Sequence, residues 1–235
     1  DALVSYLKLH GVRMLLKTKL LDVKNTPTHT HRVTLGEMVE GRKPVREHHA
    51  EYDTVVLCLD AWALRRLPFL EPLKATLESV SITPLTRIYA QFPVGAADGK
   101  AWFMGVPKTS TNLPIRMFIP IDPTNGLCMI SYSDRYTATY WQDLFLSSTK
   151  KKFTKHLMAH IRHMFPEHTI PEPLWVEKLH WVHGVHVWKP NANSDLIMEQ
   201  LNTGSYPTLN GVYVCGEAYS HRQGWIEGAL ETAET

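Results

Sequence analysis

The sequence predicts a mixed α/β fold in which a domain made of a mixed sheet and a helix is inserted into a second α/β domain. Strand-like apolar runs and helical stripes are both present, and Pro, Gly and Asn turn signals separate them. From Pro84 on, short strands follow one another closely, whereas the two ends of the chain combine strands with short helices. We therefore expect segments 1–67 and 206–235 to share one domain, and segment 68–205 to form the inserted domain.

The first segment is predicted to hold three strands between two short helices. Residues 2–9 are predicted to end a helix that Gly11 stops, and residues 61–67 a helix that ends before Pro68. The run from Val55 to Leu59 is continuously apolar, which predicts a strand covered on both faces. Polar residues 40–50 are predicted to connect the second and third strands. The three strands are predicted within 12–25, 31–39 and 52–60.

The middle segment is predicted to hold an antiparallel or mixed sheet followed by an amphipathic helix. Phe153, Leu157, Ile161 and Met164 recur at helical spacing within 148–165, and Ser148 or Thr149 can cap this helix. The stretch 171–193 contains too many Trp, His and Pro residues to predict a simple strand. The strands of the sheet are predicted within 85–93, 101–107, 114–122 and 126–134.

The bulk composition narrows the class of protein. The chain has 235 residues, of which 44% are hydrophobic and 20% charged, so it can bury a sizeable core and is not a disordered tail. The formal charge of +2 and the scattered basic residues predict no nucleic-acid partner, and no apolar run has the length of a membrane span. The odd number of cysteines favours free thiols and an intracellular compartment, and no signal peptide is visible. Because the chain opens with Asp1 and not Met, we expect it to be part of a longer protein.

The closing run "GVYVCGEAYSHRQGWIEGAL" predicts a strand, a loop and a helix arranged around a ligand. Gly216 and Glu217 follow the strand directly, at the end where open α/β sheets bind ligands. Gly216 lets the backbone approach a ligand closely, and Glu217 needs a donor, such as a sugar hydroxyl or backbone amides, if it is buried. The amides at the start of the helix suit a phosphate or the pyrimidine edge of a flavin. These amides belong to Gly224, Trp225 and Ile226. The alternative is an ordinary strand–loop–helix with a structural glutamate.

This run resembles the C-terminal flavin-binding signature of the flavin-containing amine oxidases, which include monoamine, polyamine and L-amino-acid oxidases. In that signature an apolar strand precedes Gly-Glu, a loop follows, and Gly-Trp or Gly-Tyr then precedes Gly-Ala. The chain carries Gly216-Glu217, Gly224-Trp225 and Gly228-Ala229 in this order. The resemblance implies an FAD-dependent enzyme that oxidises an amine to an imine and reduces oxygen to hydrogen peroxide, within a Rossmann-like FAD-binding domain. The FAD is expected to be noncovalent, because the cysteine that binds it covalently in monoamine oxidases has no counterpart here.

The resemblance also implies roles for particular residues. Leu20 would contact the adenine region through its backbone, and Glu217 would hold the ribityl or diphosphate region. The Gly224–Ile226 amides would face the pyrimidine edge. Arg87 stands where many members carry a lysine near flavin N5. Trp225, together with Trp188 or His186, would form the wall of the substrate site.

Other features limit this interpretation and leave alternatives open. The Gly-x-Gly-x-x-Gly fingerprint of the family is absent, so we expect an N-terminal part of the same protein to complete the FAD site. His180, His183 and His186 recur at a spacing of three, but Gly184 and the intervening valines disfavour a helix that would align them, so no metal site is predicted. A related flavoprotein that desaturates or isomerises an apolar molecule is the second candidate. A structural subunit with a flavoprotein fold is the third, with the missing first half of the family's chain and Arg87 in its favour.

Overall fold

The computed structural model describes residues 2–39, 44–97, 99–204 and 210–234. The chain divides into two compact units. The first unit combines Asp1–Ser79 with Pro190–Thr235, and the second unit is Val80–Lys189. The unit boundaries thus lie at 79/80 and 189/190, whereas the sequence placed the domain boundaries at 67/68 and 205/206, the latter outside the described residues. Within the described ranges, no helix has the length and apolar character needed to cross a membrane.

Helices and strands are both well represented, so the fold class is mixed α/β. A 3-10 helix occupies Pro68–Leu73, and another occupies Glu217–Tyr219. The α-helices are α1 (Ala2–Leu9), α2 (Ala61–Leu64), α3 (Lys74–Leu77), α4 (Arg135–Ser147), α5 (Lys150–Met164), α6 (Ser194–Asn202) and α7 (Ile226–Ala233). The strands are β1 (Thr18–Asn25), β2 (His31–Glu37), β3 (Arg46–Tyr52), β4 (Val55–Leu57), β5 (Val80–Gln91), β6 (Thr109–Ser110), β7 (Met117–Asp122), β8 (Leu127–Asp134), β9 (Trp175–Trp188) and β10 (Val212–Val214).

The first unit contains an antiparallel sheet in the order β1-β2-β3. The sequence predicted a polar connection over 40–50, and this was wrong for Arg46–Ala50, which belongs to β3. Strand β3 shows no apolar alternation, because it is an edge strand with almost every residue exposed. Helix α6 was also missed, although Asn193 caps it by accepting a hydrogen bond from the Leu196 N–H at 3.2 Å.

The second sheet of this unit is a parallel pair of short strands, β4 and β10. Val55 lies opposite Val212, and Leu57 lies opposite Val214. The expectation that this strand is covered on both faces was wrong. Leu57 is buried, but Val56 is 53% exposed because its side chain points to the other face of the pair.

The second unit is a five-stranded sheet in the order β6-β7-β8-β5-β9, and all its strand pairs are antiparallel. The stretch 171–193, which the sequence excluded as a simple strand, contains the 14-residue β9. Strand β9 lies at the edge of the sheet, so its aromatic side chains can face solvent or pack on the sheet surface. Residues 101–107 were expected to form a strand but form turns, which direct Phe103 into the core instead.

Helices α4 and α5 cover one face of this sheet. The Thr86 hydroxyl of β5 donates to the Ala138 carbonyl of α4 at 3.0 Å, and Trp141 of α4 is fully buried. Of the two caps that the sequence allowed for helix α5, Ser148 and Thr149, the structure has Thr149, whose hydroxyl accepts from the Lys152 N–H at 3.3 Å. Its stripe residues Phe153, Leu157 and Ile161 are buried in the same core. Alternate residues of β5, including Arg87 and Tyr89, lie on the opposite face and are half-buried.

Candidate functional site

The loop over residues 216–225, here called the signature loop, follows β10 and precedes α7 in the first unit. Gly216 adopts φ +135°, a conformation that L side chains rarely adopt. The Glu217 carboxylate accepts a hydrogen bond from the Gly224 N–H at 2.7 Å, which closes the loop across seven residues. The glutamate therefore shapes the loop in addition to any contact with a ligand.

Helix α7 is packed tightly against this loop. A Cβ atom on Gly228 would lie 2.2 Å from the Ser220 hydroxyl oxygen and 2.5 Å from the Arg222 carbonyl oxygen, so any larger residue would force the loop away. The Thr232 hydroxyl accepts a hydrogen bond from the Gly216 N–H at 2.8 Å. The strand end, the loop and the helix are thus held as one rigid piece, although the Thr232 contact was not predicted.

The amides at the start of α7 differ from the sequence-based expectation of three free N–H groups. The Gly224 N–H is bonded to Glu217, and the Trp225 N–H donates to the Arg222 carbonyl at 3.3 Å, so two of the three were predicted wrongly. Both N–H groups bond acceptors within the signature loop itself, before the helix starts. Among the described residues, the Ile226 N–H makes no hydrogen bond. The Trp225 and Ile226 side chains are 69% and 73% exposed.

A cleft of about 460 Å³ lies beside Leu20 and Leu59 in the same unit. A Cβ atom on Gly216 would have only the Leu59 carbonyl oxygen within 4 Å in the described part of the chain, at 3.9 Å. Leu20 and Gly216, which were assigned to the cofactor from segments far apart, are therefore both related to Leu59: Leu20 lines the cleft with it, and Gly216 lies beside its carbonyl oxygen. The cleft is also lined by Trp62 and Arg66.

The chemistry of this cleft fits a nucleotide-containing cofactor. The Arg66 guanidinium lies 4.6 Å from the centre of the Trp62 ring, and Lys19 provides a second cation. Cations suit phosphates, and an exposed ring suits a base. Asp60 lies between Leu59 of the cleft and helix α2. Here it caps α2 by accepting from the Ala63 N–H at 2.7 Å, so its role is local.

Arg87 lies in the second unit, on the sheet face that the helices leave uncovered. Its guanidinium carbon is 5.0 Å from the centre of the Tyr132 ring and 5.8 Å from that of Trp181. Burial lowers the pKa of Arg87, but hydrogen bonds and charge interactions with Tyr132 and Tyr89 raise it by more, so the group stays charged. Its Nε is buried and has no hydrogen-bond partner among the described residues.

The aromatic neighbours of Arg87 were not identified from the sequence. Tyr132 lies directly opposite Arg87 in the β5/β8 register, and Trp181 lies opposite Leu85 in the β5/β9 register. Tyr132 could have been found from alternation along β8, since Tyr132 and Arg87 both sit between buried residues. Trp181 could not, because a register shift between Thr83 and Leu85 offsets β9.

His186 and Trp188 occupy the end of β9, opposite Ile82 and Val80. His186 is 3% exposed and Trp188 is half-buried. They belong to the second unit, whereas Trp225 belongs to the first. His180, His183 and His186 lie on a strand, and His180 shares a hydrogen bond of 2.8 Å with the Thr86 hydroxyl. No group of three or more His, Cys, Asp or Glu side chains in the described residues could hold a metal ion.

Comparisons with known proteins identify the family. The chain resembles the crystal structure of a protein described as "Putative protoporphyrinogen oxidase" from Exiguobacterium sp. 255-15, with a TM-score of 0.69 and 14% identity over 99% of this chain and 49% of that one. The chain therefore spans about half the length of that protein, and at this identity the likeness shows the fold alone. No curated protein matches the sequence. The family model described as flavin containing amine oxidoreductase matches residues 1–235. The chain belongs to the flavin-containing amine oxidoreductase family, which implies a flavin cofactor.

Proposed function

We propose that the protein containing this chain is an FAD-dependent amine oxidase, which oxidises an amine to an imine and reduces oxygen to hydrogen peroxide. The observation that carries this proposal is the position of Leu59: it lines one cleft with Leu20, and its carbonyl oxygen lies beside Gly216 of the closed signature loop. The first unit would be part of a Rossmann-like FAD-binding domain, and its parallel β4/β10 pair with flanking helices supports this. Because the chain spans about half of its structural neighbour, the activity is proposed for the full-length protein.

The residues of the first unit would hold noncovalent FAD. Leu20 and its neighbours would bind the adenine region, and the open side of Gly216 would admit the diphosphate. Glu217, whose carboxylate accepts from the Gly224 N–H, would contact the ribityl or diphosphate region. The Ile226 N–H, with the positive end of α7, would face the pyrimidine edge. When bound, the flavin supplies the redox chemistry.

The face of the second unit that carries Arg87, Tyr132 and Trp181 would contact the amine. Aromatic rings favour an amine with an apolar surface, and Arg87 disfavours a polycation through like-charge repulsion. The arrangement therefore supports an amino acid or a neutral monoamine over a polyamine, since a substrate carboxylate would pair with the guanidinium. Trp188 and His186 remain proposed as further walls of this site, and the role of Trp225, which lies in the first unit, stays a prediction.

The second candidate is flavin-dependent oxidation or desaturation of an apolar molecule such as a porphyrinogen. The name of the Exiguobacterium protein supports it, as does the exposed aromatic surface of Trp181, which is 42% exposed. The two candidates share the cofactor and the fold, so only the substrate distinguishes them. The third candidate, a structural subunit, is supported by Arg87 in the place of the usual lysine.

An absorbance spectrum followed by a substrate panel tests these candidates. The full-length protein should show flavin bands in the near-ultraviolet and blue. It should then release hydrogen peroxide and ammonia in equal amounts from an amino acid or monoamine, with little release from a polyamine. Porphyrin fluorescence from a porphyrinogen, without ammonia from any amine, would favour the second candidate. A well-folded full-length protein without flavin bands would exclude both enzymes.

A further inference from the structure

Two thiols face each other where the parallel strands of the first unit end. The sulfur atoms of Cys58 and Cys215 are 3.3 Å apart. Leu57 and Val214 are the last paired residues of β4 and β10, and the Cys215 N–H still donates to the Leu57 carbonyl at 3.2 Å. Adjacent strands lie about 4.8 Å apart, within the range of about 4.4–6.8 Å between Cα atoms that a disulfide requires. The two sulfur atoms therefore need to move about 1 Å closer together to form a disulfide bond.

The two thiols differ in access to solvent. Cys58 is exposed and Cys215 is half-buried. Burial, and then the hydrogen bond with Cys58, raise the pKa of the Cys215 thiol to about 11. Cys58 is therefore the thiol that an oxidant from solvent reaches first, and Cys215 is placed to react second. Cys128 provides a contrast: it is buried, and burial raises its pKa strongly.

We propose that Cys58 and Cys215 form a reversible disulfide when a hydroperoxide oxidises the protein. The Cys58 thiolate attacks one peroxide oxygen, the O–O bond breaks, and hydroxide leaves, so Cys58 becomes a sulfenic acid. The Cys215 sulfur then attacks the Cys58 sulfur, and the S–O bond breaks. The thiol proton and the departing hydroxyl form water. In total, two thiols and one hydrogen peroxide give one disulfide and two waters, and a dithiol reductant reverses the change.

The position of this pair links it to the cofactor cleft. Cys58 directly precedes Leu59, which lines the cleft, and Cys215 directly precedes Gly216. A disulfide would join segments 157 residues apart in sequence and fix the two strand ends beside the cleft. The oxidised protein should therefore melt at a higher temperature than the reduced protein. The disulfide does not depend on the proposed oxidase activity, although that activity would release the oxidant.

The test is peroxide treatment of the folded full-length protein with its cofactor bound. After treatment, free thiols are alkylated, the protein is digested without reduction, and the peptides are identified by mass spectrometry. We expect a peptide in which Cys58 is joined to Cys215 with the loss of two hydrogen atoms, and its disappearance after dithiothreitol. We also expect the treated protein to run as a monomer on a gel without reductant, because the disulfide forms within one chain. Because hydrogen peroxide is added as a reagent, this result is independent of whether any amine is oxidised.

Three variants make the outcome decisive. Cys128→Ser should form the same cross-linked peptide as the native protein, whereas Cys58→Ser and Cys215→Ser should form none and should lose the rise in melting temperature. The proposal is overturned if Cys58 and Cys215 are both still alkylated after treatment. It is equally overturned if Cys58 proceeds to the sulfinic acid while Cys215 stays reduced.

Discussion

The Glu217 carboxylate and the Gly224 backbone N–H are joined by a hydrogen bond of 2.7 Å. This bond links the first two dipeptides of the closing motif, which are Gly216-Glu217 and Gly224-Trp225. The spacing between the pairs is therefore fixed by closure of the loop as well as by any ligand that the loop holds. A side chain with an acceptor oxygen at position 217 therefore stabilises the loop even in the absence of a ligand, because it bonds a backbone donor ahead of α7.

Replacing Glu217 should separate its structural role from its role toward the cofactor. Glu217→Gln keeps a carbonyl oxygen that can accept from Gly224, whereas Glu217→Ala removes the acceptor. We expect Glu217→Ala to lower the free energy of unfolding by about 1 kcal/mol and Glu217→Gln by less than half of that. Urea denaturation measures both. Equal losses in the two variants would show that the Gly224 bond does not stabilise the loop.

Gly228→Ala should destabilise the protein although alanine favours helices. The added methyl would overlap the Ser220 hydroxyl and the Arg222 carbonyl, at 2.2 and 2.5 Å, and a backbone carbonyl cannot rotate away. Overpacking of this kind costs about 1–3 kcal/mol, and the loop that moves is the one that carries Glu217. The free energy of unfolding, measured by urea denaturation, and the affinity for flavin should therefore both fall.

The control for this change is Glu227→Ala, on the exposed side of the same helix. It should alter the free energy of unfolding by less than about 0.5 kcal/mol. If Gly228→Ala is as stable as the native protein, α7 does not pack on the signature loop as closely as the distances at Gly228 indicate.

The sequence predicted best the elements whose signal is local. The strand–loop–helix of the closing run and the capped helix α5 lie where they were expected, because apolar spacing and caps such as Thr149 are read from neighbouring residues. Strand β3 and strand β9 were missed for a different reason. Their residues are polar or aromatic on exposed edges, and only pairing with β2 or β5 makes them strands.

The candidate site shows the same limit. Leu20 and Gly216 were assigned through a family pattern, but the position of Leu59 beside Gly216 depends on how β4 pairs with β10. Tyr132 and Trp181 beside Arg87 depend on the register of two strand pairs, one of them with a shift. Register is set by the packing of whole strands, which single residues in the sequence do not reveal.

His221 should make stability depend on pH. Its imidazole bonds Asp195 of α6 at 2.7 Å and Glu231 of α7 at 3.1 Å, and these hydrogen bonds, that to Asp195 first, raise the pKa of His221. A raised folded-state pKa means that the stabilisation is complete below the unfolded value of about 6.5, and that it is lost as pH rises through the folded value. We therefore expect native protein and His221→Gln to differ more in free energy of unfolding at about pH 6 than at about pH 9.

Urea denaturation at the two pH values gives this difference, in which the titration of all other groups cancels. Asp195→Asn provides the control, because it removes the larger cause of the pKa shift and should shrink the pH dependence. The same difference at both pH values would mean that the imidazole is not held by these carboxylates when protonated.

Arg87 should determine whether the proposed oxidase accepts a carboxylate-bearing amine. Its guanidinium lies over Tyr132 and beside Trp181 and keeps its charge, so it can pair with a substrate carboxylate. We expect Arg87→Met to lower kcat/KM for an amino acid at least tenfold, about 1.4 kcal/mol, mainly through KM. The same variant should leave kcat/KM for a neutral monoamine within about twofold. Arg87→Lys should have an intermediate kcat/KM for the amino acid, because lysine keeps the charge without the planar fork.

Lys108→Met, which removes an exposed cation from the same unit, is the control and should leave kcat/KM unchanged for both substrates. Steady-state kinetics of the full-length protein measures all four enzymes, and an Arg87→Met variant that retains native KM for the amino acid would exclude this residue from substrate binding.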